Sequence, residues 1–194
     1  MSTRFPPIPL SSQSTSQREA TAQAETIVTQ TFGPTFQLKD DNGTLLGPFS
    51  LLAYTPSTFA PYLSYNYAIA TLPDLTPRER ELAVLATASV TKAEYIIYAH
   101  SKIAGSVGLA EEVITEVLKG DVPKELEARE RVVCKIALDA VKNFGRLEGN
   151  VFEKGVEAVG REGVAGIIQI VGTYLLASTL VSAADVSVPG EEKK

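Results

Sequence analysis

Histidine and cysteine are nearly missing from this chain: 194 residues hold one of each, His100 and Cys134, with one methionine and no tryptophan. A lone cysteine forms no internal disulfide and a lone histidine no multi-histidine site, so no metal centre is expected. Basic runs are missing too. With 18 Lys and Arg against 23 Asp and Glu the net charge is −5, which leaves no electrostatic footprint for a phosphate backbone, and nucleic acid is not expected as a partner. The opening MSTRFPPIPL has no apolar run of signal-peptide length before its prolines, so a cytoplasmic location is expected. Long apolar runs are scarce. The one exception, Gly163 to Ala184, has 22 residues without a charge, long enough to cross a bilayer. Gln169, Thr173, Ser178, Thr179 and Ser182 interrupt it, and neither a Lys/Arg flank nor an aromatic belt marks its ends. It reads as a helix buried in a core or a subunit contact, with no membrane involved.

What is present is an average globular composition, 44% hydrophobic and 21% charged, which excludes collagens, disordered tails and disulfide scaffolds. Residues 1–13, rich in Pro, Ser and Thr, read as a mobile arm, and residues 187–194 as a mobile tail. Between them, 14–186 read as a single domain. Helical periodicity dominates. Ala20, Ala24, Ile27, Val28 and Thr31 form one stripe of a helix over 16–31 that Phe32-Gly33-Pro34 stops. Residues 38–52 carry two turn signals, Asp40 to Gly43 and Gly47-Pro48-Phe49, and predict a loop-rich connection with room for a short hairpin.

Further helices are predicted from Pro56 to about Tyr67, and from Thr76-Pro77-Arg78-Glu79, a capping box with proline at the first helical position, to about Ser89. Thr91-Lys92-Ala93-Glu94 predicts a second capping box for a helix to Val107. Leu109 to Lys119, Pro123 to Phe144, Asn150 to Val159 and Gly163 to Ala184 complete the set, each bounded by Gly or Pro. The fold class is all-α, with neighbouring helices in antiparallel pairs.

Ala93, Ile96, Ile97, His100, Ile103, Ala104 and Val107 recur at three- and four-residue steps, so the histidine falls on a buried stripe and needs a hydrogen-bond partner. Glu81 lies one helix earlier, beside the stripe of Leu82, Leu85, Ala86 and Ser89. A tight hairpin between the two helices brings Glu81 and His100 within reach as a proton-transfer pair. By periodicity alone, a satisfied core histidine is the competing reading.

Arg80-Glu81-Leu82-Ala83-Val84-Leu85, then Glu94-Tyr95 and Tyr98-Ala99-His100-Ser101-Lys102-Ile103-Ala104, resemble the carboxymuconolactone decarboxylase and AhpD-like family. The lead-in Gly47-Pro48-Phe49 to Pro56 and the helix start Gly108-Leu109 with Glu111-Glu112-Val113-Ile114 fit the same pattern, which covers about residues 45–120. The resemblance implies an AhpD-like helical bundle. AhpD-like peroxidases use a Cys-x-x-Cys pair between a glutamate and a histidine; laid on this chain, those two are Glu81 and His100, and the thiol positions hold Ala93 and Ile96. Thiol chemistry is therefore excluded there. Cys134 sits beside Ala137, Leu138 and Val141 on its helix and reads as a buried apolar residue.

Together these readings point to a cofactor-free decarboxylase or isomerase acting on a carboxylated lactone, enone or aromatic-derived cyclic compound, with Glu81 and His100 catalytic. Tyr95, Ile96, Ile97 and Tyr98 are the expected substrate-binding residues, and Tyr54, Tyr65, Asn66, Tyr67 and Tyr174 further candidate contacts. The competing function is a non-catalytic oligomeric helical protein that keeps the family fold, and a thiol peroxidase ranks third. Apolar residues on every face of Gly163 to Ala184, with the family resemblance, imply a homo-oligomer, trimer or hexamer.

Overall fold

The apolar stripe of the first predicted helix is buried as its spacing requires: Ala20, Ala24 and Val28 lie in the interior on one face of α1 (Thr15–Phe32). The structure is a computed structural model and describes residues 4–32, 39, 43 and 45–188. The Gly33-Pro34 stop signal, the Asp40–Asn42 turn and most of the tail lie outside the described residues. Among the described residues seven more α-helices follow: α2 (Phe49–Leu52), α3 (Pro56–Ala70), α4 (Pro77–Thr91), α5 (Glu94–Ser106), α6 (Glu111–Lys119), α7 (Ala128–Lys142) and α8 (Gly149–Ala183). Among the described residues the extended structure amounts to one antiparallel bridge, Lys39 with Leu45, in the stretch read as room for a hairpin.

Where the sequence reads one domain over 14–186, the residues gather into two compact units, Leu72–Thr179 and Met1–Thr71 with Leu180–Lys194. In the latter, Ala24, Val28, Leu52, Phe59 and Leu63 form one apolar core, and the rings of Phe49 and Phe59 stack at 6.2 Å. Of the arm expected over residues 1–13, described residues from Arg4 onward make contacts within this unit. Arg4 Nη1 donates to Ala183 O, Tyr54 hydroxyl to Pro6 O, and Gln13 is buried. Backbone carbonyls, absent from a hydropathy reading, supply those anchors.

The unit Leu72–Thr179 is built around α4, whose residues from Leu82 to Ser89 are all buried and which packs against α5, α6 and α7. Its start is as the sequence requires, with the Thr76–Glu79 capping box complete and Pro77 at the first helical position. The second expected box does not form. Lys92, at φ 54°, terminates α4, and Ala93 precedes α5 without a side-chain cap. Thr91 remains the last residue of α4, and its hydroxyl meets Ser178 Oγ of α8 at 3.0 Å. A two-residue link then makes α4 and α5 an antiparallel hairpin.

Helix α7 starts later than predicted, because Glu127 serves as its N-cap and closes a capping box with Glu130. Gly160, at φ 72° and ψ 173°, breaks α8 into two limbs, which matches the two helices expected on either side of it.

Helices α4 and α7 begin alike, with Arg78-Glu79-Arg80 and Arg129-Glu130-Arg131 fifty-one positions apart. The two starts exchange partners. Arg78 Nε donates to Glu130 Oε1 at 2.7 Å, and Arg129 Nε to Glu79 Oε1 at 2.6 Å, while each glutamate also caps its own helix. The third residue of each triplet is equivalent as well: Arg80 donates to the carbonyls of Leu72 and Leu75, and Arg131 to those of Lys124 and Leu126. The two helix starts thus repeat one another both in their triplet and in the partners it takes.

Candidate active site

Glu81 occupies the second turn of α4, so the capping box that fixes where α4 begins also fixes where this carboxylate stands. Across the hairpin, His100 Nδ1 lies 2.8 Å from Glu81 Oε2, and both side chains are about 12% exposed. A carboxylate only accepts, so Nδ1 carries the hydrogen and Nε2 is left for chemistry. The ring of Tyr174, from the second limb of α8, meets the imidazole edge to face at 4.7 Å and 87°. Hydrogen bond and ring contact together hold the imidazole in one orientation. Partly buried and still reachable, the pair can move a proton to or from a bound molecule.

Of the four residues expected to bind substrate, Ile96 and Ile97 flank His100 one turn earlier, the first buried and the second half-buried. Tyr95 and Tyr98 fall about 140° and 160° around α5 from the histidine, on its far side, so neither shares a face with it. Tyr98 there accepts a hydrogen bond from Lys102 Nζ at 2.6 Å. Burial pushes the Tyr95 phenol up, with Tyr98 adding to the shift. Tyr54 and Asn66 are engaged locally, with Pro6 O and Tyr62 O, and Tyr65 and Tyr67 are exposed on α3. The thiol positions are filled by apolar groups, Ala93 and Ile96, both buried.

Cys134 is fully buried on α7, and burial pushes its thiol up to about 12, the reverse of an activated nucleophile. Sequence reasoning missed the Arg78, Glu79, Arg129 and Glu130 cluster that locks the start of α4. The repeated Arg-Glu-Arg triplet was the available signal.

A family model described as the carboxymuconolactone decarboxylase family matches residues 56–141, a little under half of the chain. Over those residues the chain is similar to the carboxymuconolactone decarboxylase family. That segment holds Glu81, His100 and both Arg-Glu-Arg starts, whereas Tyr174 lies beyond it. No curated protein matches the chain in sequence.

Among solved structures, the debrominase Bmp8, as a cysteine-to-alanine variant bound to 2,3,4-tribromopyrrole, superposes with a TM-score of 0.75 at 14% identity. That match covers 98% of this chain and 95% of the other. An AhpD-core protein from Ralstonia eutropha JMP134, described as peroxidase-related, gives a TM-score of 0.70 at 21% identity over 92% and 88% of the two chains. The fold is therefore AhpD-like and all-α, an architecture that a debrominase also uses.

Proposed function

We propose that the protein is a cofactor-free decarboxylase or isomerase acting on a carboxylated lactone, enone or aromatic-derived cyclic compound. The observation that carries this reading is the 2.8 Å contact of Glu81 with His100, held where both side chains remain about 12% exposed. In the decarboxylation, the bond from ring carbon to carboxylate breaks, carbon dioxide leaves, and the electron pair enters the conjugated carbonyl as an enolate. His100, having taken a proton from solvent on Nε2, delivers it to carbon and returns to the neutral imidazole, and the Glu81 carboxylate stabilises the imidazolium that makes the delivery. Bonds and charges balance without an external oxidant or reductant. Isomerisation uses the same pair, removing a proton next to the carbonyl and returning it one conjugated position away.

Ile96 and Ile97 beside the histidine favour a flat, apolar ring, and the debrominase with this fold holds such a ring in 2,3,4-tribromopyrrole. Ala93 and Ile96 at the thiol positions favour chemistry other than peroxide reduction. The same apolar substitutions also motivate the second reading, a non-catalytic oligomer that keeps the fold. We further propose that the protein works as a homo-oligomer, trimer or hexamer, in the cytoplasm.

The test is a panel of carboxylated lactones and unsaturated ring acids incubated in deuterium oxide, with carbon dioxide release and deuterium at carbon as readouts. His100→Gln and Glu81→Gln should each lower turnover by a factor of about 10² to 10⁴. Unchanged turnover in both variants sinks the acid–base assignment. No turnover on any member of the panel favours the non-catalytic reading.

A further inference from the structure

Val132 and Val151 both line one groove between α7 and the first limb of α8, with a volume of about 590 Å³. That size is ordinary for a small-molecule site.

Its floor is apolar, from Val122, Val132, Ile136 and Val151, and its polar lining is biased towards positive charge. Arg131, Lys135 and Lys154 face Asp139 and Glu148, an excess of one cation in a chain of net charge −5. Asp139 is already neutralised by Lys135 Nζ at 2.7 Å. Lys154, one turn after Val151 on an exposed face, makes no hydrogen bond or ion pair among the described residues. An apolar floor under an unengaged ammonium is complementary to an apolar molecule with one carboxylate.

We propose that this groove is a second, non-reacting binding site for a small monocarboxylate with an apolar ring. It does not depend on the reaction assigned to Glu81 and His100.

Titrating the ¹⁵N-labelled full-length protein with benzoate tests it, with benzyl alcohol and benzylamine as the uncharged and cationic counterparts. Benzoate should give saturable shifts of amides in α7 and the first turns of α8, and these should persist in His100→Gln. Lys154→Glu should weaken the binding about tenfold, the loss of one charge-assisted contact. Four outcomes overturn the proposal: no saturable shift, benzylamine binding as tightly as benzoate, shifts centred on α5 that vanish in His100→Gln, or no effect of Lys154→Glu. Broadening of the same amides with protein concentration alone would also overturn it, by assigning the groove to a second copy of the chain.

Discussion

His100 illustrates how one residue can matter more for rate than for folding. In His100→Gln a side-chain amide still offers Glu81 a donor, so the half-buried carboxylate keeps a partner and the loss of stability should stay below about 2 kcal/mol. The proton donor is gone, and turnover should fall by about 10² to 10⁴. Outright unfolding of this variant, seen by circular dichroism, would make the residue structural. Cys134 is the opposite case. With its thiol pushed up to about 12 by burial, it is protonated throughout the neutral range and out of reach of solvent. Native protein should leave a disulfide reagent unreacted at pH 8, and one thiol should appear when urea unfolds it. Fast native labelling would show that α7 opens.

The clearest electrostatic element is the paired start of α4 and α7. The Arg78 guanidinium, hydrogen-bonded to Glu130, holds that carboxyl below the usual carboxylate range. A lowered folded-state value means that the ion pair stabilises the protein above the unfolded carboxyl pKa. The contribution fades as pH falls from there through the folded value. The midpoint of thermal unfolding should drop across the acid limb, and Glu130→Gln should flatten that slope while lowering stability at pH 7. An unchanged acid slope would remove Glu130 from the account. The kink in α8 makes a second prediction at this scale. Gly160, at φ 72° and ψ 173°, sits where an L side chain is strained, so Gly160→Ala should cost about 1–3 kcal/mol in urea unfolding. No change would mean that the two limbs tolerate a different join.

At the scale of the whole molecule, α8 is long and apolar enough to cross a membrane, yet half of its most apolar window is buried within the protein. On its second limb Ala165, Ile168, Gly172 and Leu176 are exposed at steps of three and four residues, with Gln169 and Thr179 beside them, and a Cβ on Gly172 would meet nothing within 4 Å. An apolar stripe with small residues suits the close approach of a second helix. Light scattering in detergent-free buffer should give a mass that is a multiple of 20.8 kDa, and Leu176→Glu should lower it. A monodisperse monomer refutes the assembly, and a requirement for detergent would return the membrane reading.

Local signals decided much of this protein. Capping chemistry at Thr76 to Glu79, the Gly and Pro boundaries and the three-to-four spacing around His100 specify helices because each acts within a turn or two of chain. Glu81 and His100 were legible together because only a hairpin separates them, and the hairpin leaves few ways for two helices to face. Tertiary structure decided what depends on distant partners. Thr91 gave up its capping role in favour of Ser178, eighty-seven positions away, and Tyr174 reached the imidazole from α8. Tyr95 and Tyr98, by contrast, stand about 140° and 160° from the histidine around α5 by the helical repeat alone, which the sequence already specified. The exchange of Arg78 and Arg129 between two glutamates did need the fold, since a repeated triplet states that two helix starts are alike and not that they meet.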